Sequence, residues 1–467
     1  MMKNTHLYSM KKLFLNNDLL SPFLKRGLGG LVITFLLISC GSNKYDKQLG
    51  SVTAFSEAVN AGAKPLALSS PMDPTEMDQF FELAKSEAIK YNVEAFRESD
   101  FLTTDLFDES LTAGKEVVLL LNGTTYQSYK EIKSDKAKLM AENEYQGAAR
   151  RDIARRFGRL LGYKPSYINQ LLGENTTHRT LGDFGIKATN VFLYYRDLKK
   201  ATDFYQNTLG LQLLGEYDNA SMFQIADLSM LILVDEAKGM HSADENKSVA
   251  LAFLTRDLPN WYDYLQEQKV EIKYTYKPKE GGPHDGFVAV DPEGYLLEFE
   301  MFKTHKENEP FKTVLDQNEE VKTSVFFNEE QLGFHGSITW LYHKDMLKIQ
   351  NYYEDVLGLD LVADQGWTKI YQGSSTGFIG LVDERRGMRD YADEKAVNMS
   401  FVLEDVEGWY NYVSSEKAMP IRNNGLSTGP DSMYKAFVAF GPELYFYEFD
   451  QFMPHEKNEK VMEFLGK

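Results

Sequence analysis

The sequence predicts an α+β protein in which a block of one strand, one helix and three strands occurs four times, behind a mainly helical N-terminal region. The first observation is a repeat: the segment Phe287 to Phe302, FVAVDPEGYLLEFEMF, recurs as FVAFGPELYFYEFDQF at Phe437 to Phe452. The second is that each half of the repeat contains the block twice, about sixty residues apart. The third is a set of helix start and stop signals before residue 175.

The two halves keep a constant register over a long stretch of chain. A shift of 148 residues relates Leu209 to Leu357 and Trp261 to Trp409. After a two-residue insertion the shift becomes 150 and relates Glu298 to Glu448. Chance does not keep register that long, so the second half is a copy of the first.

Length and charge limit the classes of function. A chain of 467 residues is long enough for about three domains. A formal net charge of −18 argues against nucleic acid as a partner and against adsorption to an anionic membrane face. Because the chain has a single cysteine, it has no internal disulfide partner.

The N-terminus has the features of a lipoprotein signal. Residues 28–39 form an apolar run that follows basic residues and is too short to span a bilayer. The run ends in LISC, which resembles the bacterial lipobox, and the last residue of that motif is Cys40. The resemblance implies that residues 1–39 are a signal peptide and that lipid on Cys40 attaches the protein to a membrane. The alternative is a free buried cysteine behind a short anchor.

The resemblance also implies a location. Gly41 is not the Asp that resembles an inner-membrane retention signal, so we expect export to the outer membrane, on either face. Residues 40–50 are polar and are expected to act as a tether.

Residues 51–175 are expected to form a mainly helical domain of no recognised family. Asp73 and Pro74 start a helix with apolar residues at helical spacing. Residues 115–121 predict a buried strand, and the dipeptide Asn-Gly at 122–123 predicts a tight hairpin. A single long helix is predicted over about 135–161, where Gly162 ends it.

The long helix carries a basic stripe of Arg151, Arg155 and Arg159, opposite an apolar stripe. We expect a solvated basic face. A phosphate site or an acidic partner is the alternative.

The block order from residue 187 onwards resembles the vicinal oxygen chelate (VOC) superfamily, which includes glyoxalase, bleomycin-resistance proteins and extradiol dioxygenases. The resemblance rests on the helix Phe204 to Leu211 and on the terminal strand Asp291 to Glu298, DPEGYLLE. It implies two tandem VOC domains, at 186–306 and 333–456, in which each pair of blocks forms an open cup. In this family the cup holds a metal or a ligand.

The resemblance further implies a divalent metal, such as zinc, iron, manganese or nickel, held by His and Glu side chains. At the family's ligand positions the first domain has Asn190, Ala250 and Glu298, and the second has Ile338, Asn398 and Glu448. The glutamates remain but the histidines do not, so the usual ligand set is incomplete. His284, at the start of a strand near the expected mouth of the cup, is a further candidate ligand.

Four aromatic residues share the strand phase of the missing ligands: Phe192, Tyr194, Trp340 and Tyr342. Aromatic walls with a few polar groups suit an apolar or planar organic molecule. The alternative is that these side chains fill the core of a sheet.

Three functions are therefore kept open. The leading hypothesis is a protein that binds a small organic molecule in one or both cups without the usual metal. The second is a metal-dependent lyase or extradiol-type dioxygenase that uses Glu298 with His284, or Glu448 with Asn398. The third is a structural or interaction protein whose cups are filled by its own side chains.

Overall fold

The computed structural model describes residues 44–107, 109–422 and 425–466. The predicted signal peptide and Cys40 lie outside the described residues. Residues Lys47–Lys467 form one compact unit. Within the described residues no helix is both long enough and apolar enough to cross a bilayer.

The N-terminal region is mainly helical, as predicted, with one small antiparallel sheet. Its helices are α1 Asp46–Asn60, α2 Pro74–Ile89, α3 Thr125–Ala141, α4 Gly147–Leu160 and α5 Pro165–Asn175. Its strands are β1 Leu66–Leu68, β2 Glu94–Glu98 and β3 Val117–Leu121. Strand β3 lies between the other two and is buried along its whole length, as its run of Val and Leu predicts. Helix α1 begins inside the predicted tether.

Two local predictions in this region are wrong. The Asn-Gly dipeptide at 122–123 forms no hairpin, because the chain turns there from β3 into α3 with Gly123 at φ 57°. The single long helix is two helices. Asn143 and Gly147 have positive φ angles, which a continuous right-handed helix does not allow.

The four predicted blocks, here called modules 1 to 4, follow in order. Module 1 consists of β4 Ile186–Tyr195, α6 Leu198–Asp203, β5 Gln212–Tyr217, β6 Ala220–Ala226 and β7 Ser229–Asp235. Module 2 consists of β8 Val249–Leu254, α7 Leu258–Glu267, β9 Ile272–Tyr274, β10 His284–Val290 and β11 Leu296–Phe302. The connection to module 3 contains α8 Glu309–Gln317, β12 Val321–Phe327 and β13 Glu330–Phe334.

The second half repeats this pattern. Module 3 consists of β14 Gly336–His343, α9 Met346–Asn351, β15 Asp360–Asp364, β16 Thr368–Gln372 and β17 Gly377–Asp383. Module 4 consists of β18 Val397–Leu403, α10 Val406–Glu416, β19 Ser427–Thr428, β20 Tyr434–Phe440 and β21 Phe446–Phe452, and α11 Glu459–Leu465 follows it. In modules 1 and 3 a π-helical turn, Phe204–Thr208 or Tyr352–Leu357, extends the helix.

The modules do not pair in the order that we expected. Among the described residues, one eight-stranded sheet has the order β5-β6-β7-β4-β18-β21-β20-β19 and the other β9-β10-β11-β8-β14-β17-β16-β15. The first sheet joins module 1 to module 4, and the second joins module 2 to module 3. The expectation that 186–306 and 333–456 each form a cup of their own is therefore wrong.

The modules join through their first strands, because each first strand keeps one free edge after its own module has formed. An unpaired edge must be covered, and another first strand is the matching partner. Strand β4 pairs antiparallel with β18, and β8 pairs antiparallel with β14. Because each of the four first strands presents such an edge, the repeat alone does not determine which two of them pair.

The basic stripe of α4 is not a solvated face. Arg155 and Arg159 lie 3.3 and 2.9 Å from Asp355 in the π-helical turn of module 3. Arg151 lies 2.9 Å from Glu416 of α10. The acidic partner is thus this chain's own second half, and the stripe docks the N-terminal region onto modules 3 and 4.

Candidate functional site

The first sheet carries a cavity on the face formed by modules 1 and 4, and we call this the 1–4 cup. Its volume is about 410 Å3. Glu448 reaches it from β21, where residues alternate between the helix side and the cup side. The register places Phe192 of β4 opposite Asn398 of β18, so both lie on the face that bears Glu448.

A chain of hydrogen bonds holds Glu448. Asn398 Nδ2 donates to Glu448 Oε2 over 2.9 Å. Asn398 Oδ1 can only accept, so His241 Nε2, at 3.0 Å, donates to it. His241 Nδ1 lies 2.7 Å from Glu245 Oε2, so one proton lies between these two atoms. The loop between modules 1 and 2 therefore fixes the orientation of a carboxyl group on module 4.

Glu448 has a carboxyl neighbour two residues along the strand. Burial raises the pKa of Glu448 to about 7, against the opposing effect of the Asn398 hydrogen bond. Burial and the charge of Glu448 raise the pKa of Asp450 well above its usual range. Ser400 Oγ donates to Asp450 Oδ2 over 2.5 Å. Near neutral pH this pair therefore holds at least one proton.

The predicted wall residues Phe192 and Tyr194 line this cavity. Further apolar wall comes from three methionines that the sequence analysis did not single out: Met222, Met240 and Met433. The predicted ligand Asn190 lies on the same sheet face, opposite Ser400, but is not among the lining residues. Both polar atoms of its buried amide have no partner within the described residues.

The second sheet carries two adjoining cavities, of about 170 and 210 Å3, on the face formed by modules 2 and 3, which we together call the 2–3 cup. Glu298 and His284 both line it, as do the predicted wall residues Trp340 and Tyr342. Glu298 was expected to share a cup with Asn190. That expectation is wrong, because their strands belong to different sheets.

The 2–3 cup contains a second carboxyl pair. Burial and the neighbouring carboxyl of Glu300 raise the pKa of Glu298 well above its usual range. Burial also raises the pKa of Glu300, against the opposing effect of His284. Each cup therefore contains a second buried carboxyl group beside the predicted one, Glu300 or Asp450, and neither was predicted from the sequence. The alternation in EFE and EFD, which places the acidic residues on one face of a strand, could have revealed them.

At two equivalent positions the 2–3 cup has larger side chains than the 1–4 cup. Phe311 of α8 packs against Phe302 and Phe378 at one end of the 2–3 cup, with ring centroids 4.8 and 4.9 Å apart. Its equivalent in the repeat is Val461. Trp340 likewise stands where the 1–4 cup has Phe192.

The residues do not fit the metal site of the VOC superfamily. Ala250 and Ile338, at two family ligand positions of the 2–3 cup, offer no lone pair. In the 1–4 cup Asn398 and Glu448 are hydrogen-bonded to each other instead of being free to coordinate an ion. The described part of the chain contains no group of three or more His, Cys, Asp or Glu side chains arranged to hold a metal. Glu448 with Asn398 gains no third donor of the kind that zinc or iron requires, and Glu298, Glu300 and His284, which line the 2–3 cup together, are not arranged to hold such an ion.

Comparison with known proteins finds one matching family model and several similar structures. Residues 187–299 match the family model "Glyoxalase/Bleomycin resistance protein/Dioxygenase superfamily". Glyoxalase I from Zea mays is similar in structure, with a TM-score of 0.43, 13% identity, and coverage of 60% of this chain and 95% of that chain. A putative dioxygenase from Bacillus subtilis has a TM-score of 0.38 and 16% identity, with coverage of 61% of this chain and 90% of that chain.

A third structure, lactoylglutathione lyase from Agrobacterium tumefaciens, has a TM-score of 0.22 and 18% identity, and covers 24% of this chain and 96% of its own. No curated protein matches the sequence. Residues 187–299, which comprise most of modules 1 and 2, are thus similar to the Glyoxalase/Bleomycin resistance protein/Dioxygenase superfamily, the VOC superfamily.

Proposed function

We propose that this chain binds a small organic molecule in the 1–4 cup, without the metal centre that is usual in its superfamily. The observation that carries the proposal is the cavity of about 410 Å3 above Glu448. Pockets of roughly 300 to 1,000 Å3 with mostly apolar walls are typical of small-molecule sites. A cup filled by its own side chains would leave no such space.

The walls and the floor of the cavity define the ligand class. Phe192, Tyr194 and three methionines favour an apolar or planar body, since methionine adapts its shape and contacts aromatic rings well. The floor offers a carboxyl group that is held by Asn398 and has a pKa of about 7. Such a group donates a hydrogen bond when protonated and accepts one when ionised. The ligand we expect has an apolar body and one polar group that reaches Glu448.

A thermal-shift screen of small aromatic and alicyclic molecules, followed by calorimetry of the hits, tests this proposal. We expect Glu448→Gln to weaken the hits about tenfold, as the loss of a hydrogen bond to a charged group does. The matched control is Glu298→Gln, the equivalent position in the 2–3 cup, which is expected to leave their affinity unchanged. Hits that bind Glu448→Gln as tightly as wild type, or that weaken only in Glu298→Gln, would contradict the proposal.

We also propose that lipid on Cys40 anchors the protein to the outer membrane. The apolar run that ends at LISC supports this proposal. Replacement of Cys40 by Ser is expected to move the protein from the membrane fraction to the soluble fraction. Wild-type protein found only in the soluble fraction would contradict the proposal.

A further inference from the structure

Two loops connect the two sheets, and each passes one cup on its way to the other sheet. Loop 1–2, residues 236–248, leaves β7 of the first sheet and enters β8 of the second. Loop 3–4, residues 384–396, leaves β17 of the second sheet and enters β18 of the first. Met240 of loop 1–2 lines the 1–4 cup, and Met388 of loop 3–4 lines the 2–3 cup. Each loop therefore touches one cup and begins a strand of the other sheet.

Each loop packs tightly on a tyrosine in the wall of the cup that it passes. A Cβ atom added at Gly239 of loop 1–2 would lie 2.7 Å from the ring of Tyr194. A Cβ atom added at Gly387 of loop 3–4 would lie 2.4 Å from the ring of Tyr342. Both distances are shorter than van der Waals contact between carbon atoms. A loop that moves towards its cup must therefore move the tyrosine against which it packs.

The hydroxyl group of Tyr295 joins the wall of the 1–4 cup to the opposite loop. The amide N–H of Tyr194 donates to Tyr295 Oη over 2.9 Å. The same hydroxyl donates to the carbonyl oxygen of Ala396, the last residue of loop 3–4, over 2.7 Å. Tyr295 is buried, so no water competes for these two bonds.

The hydroxyl group of Tyr445 makes the equivalent link at the 2–3 cup. The amide N–H of Tyr342 donates to Tyr445 Oη over 2.8 Å. That hydroxyl donates to the carbonyl oxygen of Ser248, the last residue of loop 1–2, over 2.7 Å. The repeat shift of 150 relates Tyr295 to Tyr445. Both halves thus keep the link, although the walls of the two cups differ.

The two loops also contact each other. The amide N–H of Ala396 donates to the carbonyl oxygen of Asn246 over 3.0 Å. Ser248 Oγ donates to the carbonyl oxygen of Asp390 over 2.7 Å. Together with the two tyrosine hydroxyls, these bonds make a continuous connection from the wall of one cup to the wall of the other.

We propose that the hydroxyl groups of Tyr295 and Tyr445 couple the two cups, so that a change in shape at one cup moves the wall of the other. The inference rests on the proposed function, because it makes the 2–3 half a regulator of the ligand site in the 1–4 cup. Coupling between two sites is reciprocal, so a change at either cup is felt at the other. Tyr295 and Tyr445 act as positioning residues, which hold Tyr194 and Tyr342 in place.

Fluorine NMR of the protein labelled with 5-fluorotryptophan tests the coupling without any ligand. Trp340 lines the 2–3 cup on the same strand as Tyr342, and its resonance is the one that Trp340→Phe removes. Gly239→Ala displaces loop 1–2 or Tyr194 at the 1–4 cup. We expect this variant to move the Trp340 resonance by more than its line width. Most of that movement is expected to disappear when Tyr445→Phe is added, because the link to Tyr342 is then lost.

The matched control is Gly429→Ala. A Cβ atom at Gly429 would lie 2.4 Å from the ring of Tyr434, which also lines the 1–4 cup but belongs to β20. We expect this variant to leave the Trp340 resonance in place. Met240→Ala is a second perturbation of loop 1–2, since it removes a cavity-wall side chain without adding an atom, and it is expected to move the resonance as Gly239→Ala does.

Three results would overturn the coupling. These are a Trp340 resonance that stays in place in both loop variants, an equal movement in Gly429→Ala, and a movement that persists in full when Tyr445→Phe is added. Because the experiment uses no ligand, a screen without hits would remove the proposed function and leave the outcome of this test unchanged.

Discussion

Glu448→Gln should change how the stability of the protein depends on pH. Folding raises the pKa of this carboxyl from an ordinary 4.5 to about 7. A group whose pKa is higher in the folded state favours folding at low pH, and this contribution is lost as the pH rises through the folded value. The wild-type protein should therefore lose stability relative to the variant as the pH increases.

The magnitude follows from the shift in pKa. One pKa unit corresponds to 1.36 kcal/mol, so the full effect of this group is about 3 kcal/mol. About 2.5 kcal/mol of it should develop between pH 5 and pH 8. Glutamine keeps the oxygen that accepts from Asn398 and does not ionise, so the variant lacks this loss.

Urea unfolding of both proteins at several pH values between 5 and 8 measures the effect. We expect the stability of Glu448→Gln relative to wild type to increase steadily over this range. Glu407→Gln is the control, because Glu407 is exposed and its bond to Lys435 lowers its pKa, so it is ionised throughout. A constant difference between Glu448→Gln and wild type would refute the reasoning.

Two further predictions concern the packing of the chain. Arg155→Met should lower the free energy of unfolding by about 3 kcal/mol, because Asp355 loses one of its two arginine partners and its buried backbone carbonyl loses a hydrogen bond. Arg156→Met is the control, because Arg156 pairs with the half-exposed Asp135 and Asp152 of the N-terminal region itself; equal losses would contradict the docking role of the stripe. Tyr195→Phe should lower the free energy of unfolding by about 2 kcal/mol, because the buried carboxyl of Asp291 loses a hydrogen bond of 2.6 Å. Urea unfolding measures both changes, and an unchanged midpoint for Tyr195→Phe would contradict this prediction.

The modules could be predicted from the sequence because each is a local pattern. A strand phase, a helix face and a repeat shift are all visible within sixty residues. The pairing of modules could not be predicted, since it depends on which free strand edges meet. Asn190 and Glu298 were predicted to lie in the same cup because both belong to the first half of the repeat. Their strands, β4 and β11, lie in different sheets.

The candidate site was predicted in part for the same reason. Glu298, Glu448 and Asn398 stand at positions that the family resemblance marks, and the structure places all three at the cups. His241 comes from a loop, and its hydrogen bond to Asn398 spans 157 residues, so no local pattern linked these two residues. The basic stripe was misjudged because its partner, Asp355, lies in another part of the chain.

The central claim is that the 1–4 cup binds its ligand without a metal. Its most direct test is the affinity of a hit from the screen for wild-type protein, measured by calorimetry before and after dialysis against EDTA. We predict the same affinity in both samples, since Glu448 contacts the ligand through a hydrogen bond and Asn398 orients Glu448. Binding that disappears after EDTA and returns with zinc, iron, manganese or nickel would contradict the claim.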